Sequence, residues 1–120
     1  MKSFDKATLP LPLVGGVVQA QRLTVPAEVI RGLSSYRHAC RLAFKLRRTR
    51  MSQKLLAQLA ALYPPHVSDY FSVHVSRREL PARCVAAVEA VLGNTVISQW
   101  LAYQSQLTVL EELQLSRRAA

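Results

Sequence analysis

Ser52 to Ser72, SQKLLAQLAALYPPHVSDYFS, is the stretch that most restricts what this chain can become. Its small, branched and polar residues are spaced as two short helices packed across a tight corner require. Met51 is placed to staple the entry to the first helix, Ser52 to cap it, and Gln53 to Ala60 are strong helix formers with Leu56 and Leu59 expected to face inward. Ala57 and Ala61 are small where the two backbones approach, and Leu62 is the apolar plug of the corner. Pro64 and Pro65 suit the first turn of a second helix, where a missing N–H costs nothing. His66 to Phe71 continue that helix, with Val67, Tyr70 and Phe71 expected in the core and His66, Ser68 and Asp69 facing outward.

At these residues the chain resembles the Cro/CI-like (Xre) helix-turn-helix family of phage and bacterial DNA-binding proteins. The family's twenty-residue motif opens on Gln, with Ala fifth, Gly ninth and a branched aliphatic fifteenth. Gln53, Ala57 and Val67 match, while Ala61 stands where Gly is usual, at a position of left-handed or crowded backbone. The resemblance covers Ser52 to Ser72 closely and Tyr36 to Ala102 more loosely, and it does not extend to the first thirty residues. It implies an all-α, compact five-helix lambda-repressor-like domain. The family's base-reading places fall on Pro64, Pro65, Ser68 and Asp69, with His66 beside them, and none is the Gln or Arg that many members use.

The charge points the same way. The 120 residues carry a net charge of +9, and half of them are hydrophobic, so the chain is globular and basic, with a polyanion as the implied partner. Between Val29 and Ser68 there is no acidic residue, yet Arg31, Arg37, Arg41, Lys45, Arg47, Arg48, Arg50 and Lys54 all fall there. On a helix over Tyr36 to Arg48, Arg37, Arg41, Lys45 and Arg48 share one stripe, opposite Tyr36, Ala39, Cys40, Ala43, Phe44 and Leu46. The helix macrodipole accounts for Arg47, Arg48 and Arg50 at the C-terminal end but disfavours Arg37 and Arg41 near the start, so an external anion is the expected reason for those two.

From the N-terminus, Met1 to Val18 imitates a secretory leader, but Asp5, Pro10, Pro12 and the Gly15-Gly16 pair interrupt it. An extended arm is expected instead, with Val17 to Val25 as an edge strand. Pro26 and Glu28 open a short helix that Gly32 ends, and Ser34 and Ser35 offer the next cap. After the motif, Ser72 to Glu79 reads as a loop that holds Arg77 and Arg78 toward a second phosphate strand. Leu80-Pro81 opens a helix that runs through Leu92, Gly93 ends it as a left-handed cap, and Asn94 caps a helix over Thr95 to Gln104. In the tail, Thr108 and Glu111 have capping-box spacing, which favours a further, separate helix, although Leu107, Val109, Leu113 and Leu115 also satisfy an alternating strand pattern. Arg117 to Ala120 are expected to fray.

Cys40 and Cys84 lie within apolar helical patterns and read as small core residues in a reduced setting. His38, His66 and His74 are too scattered for a metal site, and the acidic residues form no catalytic set, so no metal, cofactor, small-molecule ligand or enzymatic activity is expected. No run is long enough to span a membrane. The chain divides into an arm (residues 1–25), a helix-turn-helix domain (26–105) and an oligomerising tail (106–120). The expected function is a cytoplasmic, nucleoid-associated regulator, most simply a repressor of phage or mobile-element type, which reads double-stranded DNA as a homodimer. Pro65, His66, Ser68 and Asp69 are the expected base readers. Arg37, Arg41, Lys45, Arg48, Arg50, Gln53, Lys54, Arg77 and Arg78 are the expected phosphate binders. The alternatives are a partition or replication accessory protein with the same contacts and a protein-interaction module for an acidic partner.

Overall fold

The computed structural model describes residues 13–14, 17–18, 21–74 and 77–119, which are all-α apart from a two-residue ladder and one isolated bridge. The rest of the expected arm lies outside the described residues. Leu13–Val14 (β1) pairs antiparallel with Val17–Val18 (β2), with Leu13 opposite Val18. Six α-helices follow among the described residues: α1 (Ala27–Arg31), α2 (Tyr36–Lys45), α3 (Gln53–Leu59), α4 (Val67–Tyr70), α5 (Ala82–Leu92) and α6 (Val96–Ala119). Phe71, Leu56, Leu92, Ile97, Val88, Val96 and Cys40 are fully buried at the centre, so every helix from α2 onward contributes to, or directly adjoins, one core. Cys84 is half-buried and both cysteines are thiols; burial pushes the Cys40 thiol up to about 12.

Local chemistry sets most of the boundaries. Ser35 caps α2 by accepting from the His38 N–H at 3.3 Å, and Ser52 caps α3 by accepting from Leu55 N–H at 3.1 Å. Gly93 ends α5 in the left-handed conformation at φ 82°. Asn94, fully buried, then joins three elements. Its amide donates to the carbonyls of Ala43 (2.9 Å) and Leu46 (3.4 Å) at the end of α2, while its Oδ1 accepts from Val96 N–H at the start of α6. Buried Glu89 adds a carboxylate at that same helix start, accepting from Ser98 N–H at 2.8 Å, where the dipole favours negative charge.

The segment before α1 also packs on this corner. Leu23 donates to Gly93 O (2.9 Å) and accepts from Thr95 N–H (3.0 Å), and the Val25 backbone exchanges two hydrogen bonds with the Gln99 side chain. Residues 21–25 therefore run beside the start of α6 through single contacts. Among the described residues of the strand expected over Val17 to Val25, strand structure is limited to β2 and an isolated bridge from Leu23 to Asn94.

Several expected boundaries shift. α2 stops at Lys45, which leaves Arg48 outside the helix. The tail is not a separate helix, because α6 runs unbroken for 24 residues and Thr108, expected to cap, instead donates to Gln104 O at 3.2 Å within the helix. A Thr-x-x-Glu spacing caps only where the preceding backbone leaves the helix, and here it does not. Helix continues to Ala119, past the point where fraying was expected. Leu59, expected inward, is 58 % exposed, because α3 is so short that Leu56 and Ala57 alone form its inner face.

Among the described residues two positions have left-handed backbone, with opposite consequences. Ala61 sits at φ 56°, a conformation that costs a non-glycine residue about 1–2 kcal/mol. Gly93 could not carry a side chain, since a Cβ there would lie 2.8 Å from Arg48 Cβ. Ala61→Gly should raise stability in urea unfolding by about 0.5–1 kcal/mol, net of the freer unfolded chain, whereas Gly93→Ala should lower it by at least about 1–2 kcal/mol.

Candidate functional site

The corner between α3 and α4 forms an exposed groove. After α3, Leu62 N–H bonds to Ala57 O, and left-handed Ala61 turns the chain so that Leu62 is buried. Pro64–His66 form a 3₁₀ turn that leads into α4, so the second helix expected from Pro64 to Ser72 is one 3₁₀ turn followed by a single α-turn. Val67, Tyr70 and Phe71 are buried, and Phe71 stacks tilted against Phe44 of α2 at 5.4 Å. Gln53, Lys54, Ala57, Pro64, Val67 and Ser68 line a groove of about 290 Å³ between the two helices, and none of these six is acidic.

Around this groove the expected site residues separate. Gln53, Lys54 and Ser68 meet in it, Lys54 and Ser68 being exposed and Gln53 half-buried. Pro65 is exposed beside it. His66 is half-buried, its ring edge-on to Tyr63 at 4.5 Å and to Tyr70 at 6.3 Å. Arg41 is exposed on α2 and donates to Phe71 O at 3.4 Å, which holds it at the end of α4. Lys45 is exposed one turn further along α2, and Arg50 is exposed in the loop that enters α3.

Two expected contacts are internal instead. Arg37 was expected on a phosphate, but it is only 9 % exposed. Its Nη1 donates to Asp69 O (2.8 Å) and Ser72 O (3.3 Å), its Nη2 donates to Arg78 O (2.7 Å), and its Nε lies 3.9 Å from the Glu79 carboxylate. The anionic environment that explains a cation near the start of α2 is therefore internal: the carbonyls that end α4 and the returning loop. Asp69 was expected to read a base, but it is 5 % exposed, and its two oxygens face Arg77 (3.7 Å) and Arg78 (3.3 Å). A carboxylate placed this way accepts from its own chain and cannot reach a ligand in the groove.

The remaining expected cations are only partly available. The side chains of Arg77 and Arg78 are 73 % and 46 % exposed, but part of their charge is engaged by Asp69. Arg48 is exposed, yet its side chain lies over Gly93, at the α5–α6 corner, and its backbone N–H bonds to Leu92 O. It does not share the Arg41–Lys45 stripe, because α2 has already ended. Tyr63, which the sequence pattern did not single out, is 60 % exposed at the mouth of the 3₁₀ turn. Its signal was the three-residue spacing to His66, which places the two rings together.

Among the described residues there is no group of three His, Cys, Asp or Glu side chains that could hold a metal, and no helix long and apolar enough to cross a membrane. No family model, curated protein or solved structure matches the chain.

Because Arg37 supplies hydrogen to three backbone carbonyls, its loss should be costly where that of Arg41 is not. Arg37→Met should destabilise the chain by about 2–4 kcal/mol in urea unfolding, the cost of stranding buried acceptors. Arg41→Met should stay within about 0.5 kcal/mol of the parent, as surface substitutions do. Equal, small effects for both would remove Arg37 from its structural role.

Proposed function

We propose that this chain is a sequence-specific double-stranded DNA-binding regulator of the Cro/CI-like, lambda-repressor-like type, most simply a repressor, and that it acts as a homodimer. One observation carries the reading: two short helices meet across a left-handed corner, and their outer surface is an acid-free groove edged by Lys54, with Arg41 and Lys45 exposed on the neighbouring helix. A polyanion with a readable interior is the partner such a surface fits. The segment from Pro64 to Tyr70 enters the major groove, with Pro65, His66 and Ser68 toward base edges, while Arg41, Lys45, Arg50, Gln53 and Lys54 hold phosphates. Arg37 and Asp69 have no place in this set, since both are spent inside the fold.

Phosphate contacts carry affinity without sequence information and base contacts carry discrimination, so the two groups must respond differently. Lys45→Ala and Lys54→Ala should weaken specific and random duplexes alike and reduce the slope of log affinity against log salt by about one for each phosphate no longer neutralised. His66→Ala and Ser68→Ala should cost about 1–3 kcal/mol on the preferred site and little on random duplex. Competition titrations over a salt series separate these outcomes. Parallel losses in all four variants, or no duplex binding at all, would sink the reading.

Dimerisation is supported by α6. From Ser105 to Arg118 every residue is exposed, including Leu107 (38 %), Val109 (57 %), Leu110 (55 %), Leu113 (51 %) and Leu115 (56 %). That is about 21 Å of helix, at 1.5 Å per residue, carrying five exposed apolar side chains with no partner within the described residues. One motif helix reads only a few base pairs, and a two-fold pair on a palindromic site supplies the rest. Truncation after Gln104 should leave a folded monomer by light scattering. A full-length chain that is monomeric at micromolar concentration, yet binds its duplex tightly, would refute the dimer.

A further inference from the structure

The chemistry of the α3–α4 groove is unusual for a surface that faces a polyanion. Its accessible wall is Pro64 and its floor is Ala57 and Val67, each 2 % exposed. Hydrogen-bonding groups stand only at the margins, with Gln53 and Lys54 on one side and Ser68 on the other. Pro64 and Pro65 have neither a side-chain polar atom nor an N–H, so these two residues offer a ligand no donor, and the His66 imidazole is the one polar side chain of the leading turn. Asp69, the one carboxylate in α4, is turned to Arg77 and Arg78. Discrimination by several side-chain hydrogen bonds is therefore not what this surface is built for.

Charge complementarity restricts the occupant. Lys54 on the rim, with Arg41 and Lys45 on α2, selects a polyanion, while the groove itself selects an apolar group. In duplex DNA the apolar group displayed in the major groove is the 5-methyl of thymine, with the O4 acceptor beside it. We propose that this groove is a thymine receptor: Pro64, above the Ala57–Val67 floor, takes the 5-methyl, and the Ser68 hydroxyl donates to O4. A groove of about 290 Å³ admits a pyrimidine edge, so methyl and O4 can be engaged together. This assignment rests on the duplex-binding reading and names one base that each half-site should carry.

The first arm of the test changes only the DNA, so it requires no protein variant. Duplexes selected from a random pool by the full chain are resynthesised with each thymine in turn replaced by 2′-deoxyuridine, which removes only the methyl. One or two positions per half-site should bind about three- to fivefold more weakly, the worth of one buried methyl, and the rest should be unchanged. With Pro64→Ala, the thymine-to-uracil ratio at those positions should fall toward one. Selected sites without thymine, or uracil tolerated everywhere while salt-dependent, selective duplex binding persists, would overturn the receptor and leave the DNA reading standing. No salt-dependent duplex binding would overturn both.

Discussion

A buried guanidinium holds the outer corner of this protein in place. α4 is a single turn, too short to be stable by its own hydrogen bonds, and its final carbonyls point out of the helix with no intrahelical partner. Arg37 reaches from α2 to one of those carbonyls, that of Asp69, to Ser72 O just past the helix, and to Arg78 O on the chain that returns toward α5. Its Nε faces Glu79, and the same loop brings Arg77 and Arg78 onto Asp69. Two cross-braces of opposite polarity therefore fix α4 from behind: a cation from α2 on its carbonyls and a carboxylate of its own on the returning arginines. Apolar burial of Val67, Tyr70 and Phe71 supplies the driving force, and the braces set the orientation.

The opposite end of the molecule is arranged around Gly93 and Asn94. The glycine allows the reversal between α5 and α6, and Arg48 lies against the space a side chain would have filled. Asn94 ties that reversal to the last carbonyls of α2, so α2 is held by Arg37 at its first turn and by Asn94 at its last. A helix pinned at both ends presents its intervening outer residues, Arg41 and Lys45, in a fixed relation to the α3–α4 groove. The half-buried aromatic layer adds to this, because Tyr36 donates to Leu80 O and Trp100 to Leu33 O, which joins α2 and α6 to the loops on either side.

What the sequence made legible was whatever depends on near neighbours. Ser35 and Ser52 as caps, Gly93 as a left-handed stop, Leu62 as a plug and the all-α class each follow from a few adjacent residues and local geometry. Position 61 was expected to need left-handed or crowded backbone, and Ala61 sits at φ 56°. Arg37 and Asp69 were misplaced because their partners are 32 to 41 and eight to nine residues away, and the decisive ones for Arg37 are backbone carbonyls, which leave no mark in a sequence. A buried arginine and a solvated one occupy the same place on a helical wheel. The break expected between Gln104 and Thr108 failed for a related reason, since a capping pattern is permissive: without Gly or Pro to end the helix, Thr108 bonds back within it.

Removing Arg37 and Asp69 from the outer surface changes the physical character of the proposed interface. What remains around the groove is exposed positive charge on Arg41, Lys45, Arg50 and Lys54, with an apolar centre and a few hydroxyl, amide and imidazole groups. Charge of that kind binds any duplex and is weakened by salt, while methyl contacts and one or two hydrogen bonds distinguish sites by only a few kcal/mol, about 1–3 for each base pair. A single copy would therefore select poorly. Two copies joined in a fixed geometry add their discrimination and reject sites with the wrong half-site spacing, which no single groove can do. The exposed apolar side chains of α6 lie on a helix continuous with the core, not on a separate tail. A pairing made through it would transmit the angle between the two grooves as well as their distance, so that the continuity of α6 past Gln104 becomes part of how the proposed site is read.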